Sequence, residues 1–464
     1  MKPQGADGIL DAQPDRPDAL RSIKTSAIRA ARWTVLGYTA SNAVRFVGTV
    51  LVMAHLLPTA AFGIMGIVNI VRRGIEMLSD VGLGPCIIAH PRGCEDAFLQ
   101  TAWTIQLVRG VLLWMIACVL AGPIAIFYGQ PQLIELLIVT TFGLVIAGAA
   151  STGLHVLGRR MEAGKLALLN LGTQVVSTVV MVAVALVWPT VWAFVIGGLC
   201  GAMARVVISF ALVPEAKMRF SWDREAAHQL LTFGTWILLS TALTYFGGHV
   251  DRIVLPKLLS LDLFGVFVVA YAIAEMPKDM INRLNAQVLM PAVANRNYLD
   301  REDLRQRLIR NRRPLLLVTA GAIAAAVVVA DQVILLLLPD KWAEAAWMLP
   351  ILLVGVWFAL LSSTVHSILI GLGEPKWGTL GNFARMIAVA AALPVAHHFY
   401  GPYGAVIVVA MAAVPHYIAV GVGASRHGIG FWMQDLAHTA MFTALLAALV
   451  LGRYELGLGN VFAP

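Results

Sequence analysis

The chain reads as an all-α protein: a polytopic membrane helical bundle of two six-helix lobes related by pseudo-two-fold symmetry, with at least one extra C-terminal span. Three observations predict this. The composition is apolar and poor in charge, hydrophobic stretches of membrane length follow one another along the chain, and a short internal repeat recurs six stretches later.

Of the 464 residues, 59% are hydrophobic and only 13% charged, and the mean hydropathy is +0.78. A soluble domain carries roughly 25% charged residues, so this balance leaves no room for a folded soluble domain. A span needs about 20 mostly apolar residues to cross about 30 Å of hydrocarbon. Thirteen stretches meet that need: 33–57, 62–88, 98–127, 133–157, 166–187, 191–213, 230–259, 263–290, 315–338, 345–370, 378–399, 403–424 and 436–451.

In chain order, residues 1–30 carry Asp7, Asp11, Asp15 and Asp18 without an apolar core, and are predicted to be a disordered cytoplasmic N-terminus rather than a signal peptide. An N-lobe of six spans covers 31–213, a cytoplasmic interlobe loop 214–228, a C-lobe of six more spans 229–424, and the extra span and tail 425–464. Lys and Arg are retained on the cytoplasmic side of a membrane. Arg29, Arg92, Arg159, Arg160, Arg219, Lys376, Arg426 and seven arginines within 291–313 fall on one side, against only Lys257, Lys341 and Arg453 on the other. This places the N-terminus in the cytoplasm, and it makes the net charge of +8 a topology signal rather than a nucleic-acid footprint. In the 291–313 stretch Leu304 and Leu308 lie one turn apart, but a stop-transfer loop is the simpler reading than a lipid-binding helix.

An offset of 202 positions carries His55-Leu56-Leu57 onto Lys257-Leu258-Leu259 and Phe62-Gly63-Ile64 onto Phe264-Gly265-Val266. Six intervening spans is an even number, so the two copies share one orientation and are related by an axis along the membrane normal. That is the architecture of a two-lobed transporter.

Fourteen charged side chains interrupt the spans, and nine are basic: Arg45, Arg72, Arg73, Arg109, Arg205, Arg252, Lys278, Arg283 and Arg385. The acids are Glu76, Asp80, Asp251, Glu275 and Asp279. Each charge near the bilayer centre costs about 2.5–3.5 kcal/mol on insertion scales, so these groups must face one another or a wet cavity. In the second span Asn69, Arg72 or Arg73, Glu76 and Asp80 line one helix face over about 16 Å, and Glu275, Lys278, Asp279, Asn282 and Arg283 do the same in the eighth. Two such stripes on equivalent helices can meet across a central cleft. They can equally be intramembrane ion pairs, which add little net stability because desolvation offsets attraction.

Arg45, Arg109, Arg205 and Arg385 have no acid in their own spans, which favours contact with a cavity or a ligand. The cationic excess points to an anionic cargo, and guanidinium forks suit phosphate because they bond bidentately and stay protonated. Arg45, Arg72, Arg73, Arg109, Arg205, Lys278 and Arg283 are therefore the candidate substrate contacts, and Glu76, Asp80, Glu275 and Asp279 the candidate sites for a coupling proton or sodium ion. Asp251 and Arg252, near the outer end of their span, are candidates for an external gate, and Gly82, Gly84, Pro85 and Pro277 for mobile points.

The chain carries no glycine-rich phosphate loop ending in Gly-Lys-Ser/Thr, no zinc-protease helix signature and no nucleophile elbow. Cys86, Cys94, Cys118 and Cys200 show no metal spacing and sit where thiols stay reduced, so neither a cofactor nor a disulfide is expected.

The segments LLPTAAFGIMGIVNIVRRGIEMLSDVGLGPCII, DRIVLPKLLSLDLFGVFVVAYAIAEMP, LLLPDKWAEAAWMLPIL and GLGEPK resemble the polysaccharide transporter family, the O-antigen and exopolysaccharide flippases of the multidrug/oligosaccharidyl-lipid/polysaccharide exporter superfamily. The resemblance covers nearly the whole chain after about residue 30, although Phe267 stands where a tyrosine often follows the second Phe-Gly, and the thirteenth span lacks a partner. It implies a bacterial inner-membrane protein, not an enzyme, that turns a polyprenyl-diphosphate-linked oligosaccharide across the membrane by alternating access through a central cationic cavity. The implied partners are that lipid-linked glycan, membrane lipids, a coupling cation, and polysaccharide polymerase and export machinery, with no nucleic acid. A peptidoglycan-precursor flippase is the near alternative. A drug or cation antiporter would want a negative, more aromatic cavity, and a glycan polymerase or ligase a large external loop that this chain lacks.

Overall fold

The computed structural model describes residues 33, 36–77, 82–160, 162–214, 218–285, 289, 290, 293, 300–457 and 459–462. The segment 1–30 and Asp80 lie outside the described residues.

All regular structure among the described residues is helical. Helix α1 (36–56) contains a π-helical stretch at Phe46–Val52. It is followed by α2 (Thr59–Met77), α3 (Leu83–Ala89), α4 (Asp96–Tyr128), α5 (Leu133–Gly148), α6 (Gly153–Arg159), α7 (Ala163–Val187) and α8 (Trp192–Leu212). The second half comprises α9 (Arg224–Leu258), α10 (Leu261–Leu284), α11 (Arg301–Leu337), α12 (Ala345–Gly371), α13 (Lys376–Met411), α14 (Ala413–Arg426) and α15 (Trp432–Glu455). Helix α13 breaks at Gly401, whose φ of 59° and ψ of −149° lie in a region that essentially only glycine occupies.

By length and apolarity alone, seven helical stretches among the described residues can cross a membrane, with 376–426 counted as one, and eight if α5 and α6, bent by 65°, form a single broken span. This is fewer than the thirteen stretches read from the sequence. Helices α2 and α10 fall short because they carry the intramembrane charges, and α1 is interrupted by its π-helical stretch.

One end of the bundle is sealed by aromatic packing. Phe62 of α2 meets Phe194 and Trp342 edge-on at 5.1 and 4.9 Å, Trp342 Nε1 donates to the Ala54 carbonyl at 2.9 Å, and Lys341 Nζ donates to the Leu57 carbonyl at 2.7 Å. The two halves cross here through α2 and α10. Gly63 lies against the Leu261 carbonyl and Gly265 against the Thr59 carbonyl, each so close that a Cβ would overlap it. The same 202-residue offset relates both contacts, so the repeated Phe-Gly packs on its own copy, as a two-fold axis between the lobes requires. Small residues are what let two membrane helices approach to backbone contact.

The opposite end carries the basic loops. Arg92 bonds Glu95 at 2.8 Å and Asp223 at 3.0 Å and lies 3.4 Å from Glu225, tying the α3–α4 loop to the start of α9. Asp223 also caps α9, accepting from the Glu225 and Ala226 amides. The hydrogen bond from Arg92 holds the Asp223 carboxyl below the usual carboxylate range. With its folded value depressed, Asp223 contributes its stabilisation fully above about pH 4, the unfolded value, and loses it as pH falls through the depressed one. Asp223→Asn keeps the cap and removes the charge, so it is expected to raise protease cleavage within 214–223 at neutral pH and to abolish the acid dependence of that cleavage.

Two expectations are corrected at this end. The stretch read as a stop-transfer loop up to Arg313 is helical from Arg301 onward, because Asp300 caps it and Leu304 and Leu308 bury against Val293, Ile368, Val420 and Phe431. Arg312, read as a loop charge, is 1% exposed and pairs at 3.1 Å with Asp435 of α15.

Candidate functional site

The intramembrane charges gather in three neighbouring groups. In the N-lobe, Arg72 and Glu76 are one turn apart on α2 and pair at 3.3 Å. Arg109 of α4 donates to the Glu76 carbonyl at 3.0 Å, and Arg205 of α8 reaches Asn170 Oδ1 of α7 at 3.4 Å. Glu76, Arg109, Arg205, Gln106 and His155 line a cavity of about 380 Å³. The cavity exists because α5 ends at Gly148 and the chain bends into α6. The carbonyls left open by that break are satisfied from α4: Gln106 Nε2 donates to Gly148 and Ala150 at 2.9 and 3.1 Å, and Trp103 Nε1 to Ala149 at 3.2 Å.

In the C-lobe, Glu275 is held by Tyr271, Lys278 and Arg252 at 2.8, 3.1 and 3.2 Å, with the Arg252 guanidinium 4.3 Å from the centre of the Tyr271 ring. Arg385 of α13 lies 3.8 Å from Asp251 of α9 and donates to the Gly248 carbonyl at 3.3 Å. The two helices come together because Gly247 packs on the Asn382 backbone. Asp251 is 0% exposed, so the external-gate reading of Asp251 and Arg252 is corrected: both belong to a buried network inside the lobe. A cavity of about 50 Å³, lined in part by Tyr271, Glu275, Lys278 and Arg385, adjoins that network.

The third group joins the lobes. Arg283 of α10 lies 3.3 Å from the ring centre of Tyr38 on α1, and Tyr38 Oη donates to Asp279 at 3.5 Å. Arg45, exposed just ahead of the π-helical stretch, is within electrostatic reach of Asp279. Tyr245 of α9 links the first two groups: its hydroxyl donates to the Ile70 carbonyl, and Arg72, Arg73 and Arg252 are all within its electrostatic reach. Arg73 itself is exposed.

Among the described residues, the predicted stripes on α2 and α10 therefore do not meet face to face in one chamber. Their helices touch at the sealed end through Gly63 and Gly265, and below that crossing Glu76, paired with Arg72, lines the N-lobe cavity while Glu275 and Lys278 line the small cavity beside the C-lobe network. Among the described residues, nine intramembrane cations stand against four carboxylates. Arg385 finds an acid in another helix, which counting within spans could not reveal. Tyr38, Gln106, Asn170, Tyr245, His249 and Tyr271 were missed because they carry no formal charge at neutral pH. Spacing could have found two of them on α9: Tyr245 and His249, whose rings stack at 4.4 Å, precede Arg252 by seven and three residues, a polar stripe on one face.

The family model for polysaccharide biosynthesis proteins matches residues 52–347. The teichuronic acid biosynthesis protein TuaB of Bacillus subtilis (strain 168) is 22% identical over 64% of this chain and 62% of its own length. The lipopolysaccharide biosynthesis protein WzxC of Escherichia coli (strain K12) is 20% identical over 59% of this chain and 55% of its own. The chain thus spans less than two thirds of the length of these two relatives. The succinoglycan biosynthesis transport protein ExoT of Rhizobium meliloti (strain 1021) is 23% identical over 78% of this chain and 73% of its own. Among solved structures, an inward closed conformation of the lipid II flippase MurJ superposes with a TM-score of 0.66 at 11% identity, covering 91% of this chain and 99% of that one. An inward-facing multidrug resistance MATE family transporter superposes with a TM-score of 0.61 at 16% identity, covering 90% and 98%. These two likenesses show the fold, and the match over 52–347 carries the assignment: the chain belongs to the polysaccharide biosynthesis protein family.

Proposed function

We propose that this chain is a bacterial inner-membrane flippase, its N-terminus cytoplasmic, that moves a polyprenyl-diphosphate-linked oligosaccharide from the cytoplasmic to the periplasmic leaflet by alternating access, for cell-surface polysaccharide synthesis. One observation carries the reading: the cation surplus at mid-membrane among the described residues, of which Arg109 and Arg205 line the N-lobe cavity with one described carboxylate, Glu76. A diphosphate supplies the negative charge this lining lacks, and the guanidinium fork matches its oxygens. The relatives named for teichuronic acid, lipopolysaccharide and succinoglycan biosynthesis support the same substrate class. A cation antiporter is disfavoured by the sign of the cavity.

Arg45, Arg72, Arg73, Arg109, Arg205, Lys278 and Arg283 are the substrate contacts in this reading. Glu76, Glu275 and Asp279, with Asp80 outside the described residues, bind the coupling proton or sodium ion. Coupling frees a cation when its carboxylate is neutralised: a proton on Glu76 releases Arg72, and one on Glu275 releases Arg252 and Lys278.

Arg109→Ala and Arg205→Ala are each expected to lower translocation of the lipid-linked oligosaccharide at least about tenfold, equivalent to 1.4 kcal/mol, read as periplasmic exposure of the glycan in intact cells. Arg109→Lys, which keeps charge and loses the fork, should fall between. Wild-type export in both alanine variants would reject the assignment. Translocation of a peptidoglycan precursor, and not of a surface-polysaccharide precursor, by the purified protein would move the substrate to the alternative class.

A further inference from the structure

The geometry points to a second ligand site, for the sugar part of a glycan, at the sealed end of the bundle over the seam between the lobes. It rests on the flippase reading for its biological role, but it is argued from its own lining. A cavity of about 490 Å³ opens there, lined by Asp262, Lys341, Glu344, Trp347, Tyr400 and Tyr403 among others. That volume lies within the range of small-molecule sites, about 300–1,000 Å³.

The lining has the chemistry of a polyol site. Trp347 and Tyr403 lie 5.5 Å apart with rings inclined at 33°, and Tyr400 is 73% exposed. Aromatic rings offer rigid apolar faces to the C–H faces of a pyranose, while their polar edges still hydrogen-bond. Asp262 and Glu344 are acceptors for sugar hydroxyls and Lys341 is a donor. Thr59 and Ser260 add hydroxyls on the same wall.

Charge separates this site from the cation-lined interior. Two carboxylates face one lysine, a net negative lining that repels a diphosphate or an anionic lipid headgroup and accepts a neutral or cationic sugar. Tyrosine and tryptophan at a membrane surface also serve as lipid anchors. A pair of carboxylates lining the same cavity is not part of that role.

The position gives the site a consequence for transport. Lys341 donates to the Leu57 carbonyl and Thr59 donates to Asp262, both across the seam, so lining residues also help to close it, while Glu344 accepts from Trp347 at 2.7 Å within the wall. By the charge asymmetry of the loops this end is periplasmic. A glycan held here engages the contacts that must part for release.

The test is isothermal titration calorimetry on the full-length protein in nanodiscs. The probes are water-soluble oligosaccharides released by mild acid from the host's own surface polysaccharide and, separately, inorganic diphosphate. Wild type should bind the oligosaccharide saturably. Tyr400→Ala and Glu344→Gln should weaken that binding at least tenfold and leave diphosphate binding unchanged, and Arg109→Ala should show the reverse pattern. Glu344→Gln keeps an acceptor for Trp347, so folding is preserved in at least one variant.

No saturable sugar binding by wild type, or wild-type sugar affinity in both Tyr400→Ala and Glu344→Gln, overturns the site. The transport assay keeps the two readings apart. Sugar binding with no flipping of the lipid-linked glycan sinks the flippase reading alone, and flipping with no sugar binding sinks this site alone.

Discussion

Asp435→Ala is expected to destabilise the folded protein by about 3–5 kcal/mol, the cost of removing one partner from a buried ion pair. Arg312 is 1% exposed and Asp435 2%, so the guanidinium left behind has no route to water. Its other contacts are neutral: Thr364 Oγ1 accepts at 2.9 Å, and the Phe431 ring centre lies 4.6 Å away. Tyr417, which donates to Asp435 at 2.9 Å, loses its acceptor in the same variant. A second pair, the Arg453 fork on Asp331, ties the far end of α15 to the same helix α11, so the C-terminal helix is held at both ends by charges of opposite order. The measurement is denaturant or detergent unfolding of the reconstituted protein. The double variant Arg312→Met/Asp435→Leu should recover most of the loss, because a well-packed apolar pair avoids desolvation altogether. A loss below about 1 kcal/mol in Asp435→Ala, the scale of an exposed pair, would show that water reaches this pair.

The Arg312–Asp435 pair also shows where the chain was legible and where it was not. Hydropathy locates apolar stretches, and it starts the thirteenth at residue 436, one position after the aspartate that docks it. A window average is insensitive to a charge at its edge, and an arginine at a span end looks the same whether it meets water or a carboxylate. Within spans, helical spacing correctly put Arg72 with Glu76 and Lys278 with Glu275, because local geometry fixes which residues share a face. It could not say which other helix that face would meet. Arg385 finds Asp251 at a separation of 134 positions, and the cavity around Arg109 and Arg205 depends on a helix break that no charge marks. The lobe repeat was legible for the opposite reason. A motif used twice across one axis has to appear twice in the sequence.

That repeat supports the second large effect. Gly63→Ala and Gly265→Ala are each expected to cost about 1–3 kcal/mol, because the new methyl meets backbone rather than a side chain that could turn aside. On one side it overlaps the Leu261 carbonyl and on the other the Thr59 carbonyl, so the only relief is for α2 and α10 to separate. Both substitutions strain one contact, and once the helices have parted the second methyl finds room. The double variant should therefore cost clearly less than the sum of the two single costs. The strain acts on the sealed arrangement and not on one in which the seam is open, so a penalty of 1–3 kcal/mol shifts the balance between them by about 5- to 150-fold. Labelling from outside reads this shift directly. A cysteine placed at Leu263, partly buried beside the crossing, should react faster with a membrane-impermeant maleimide in either single variant, and no faster again in the double. Additive costs and unchanged labelling would mean that the two glycines do not form a shared hinge contact, and that the seam opens elsewhere.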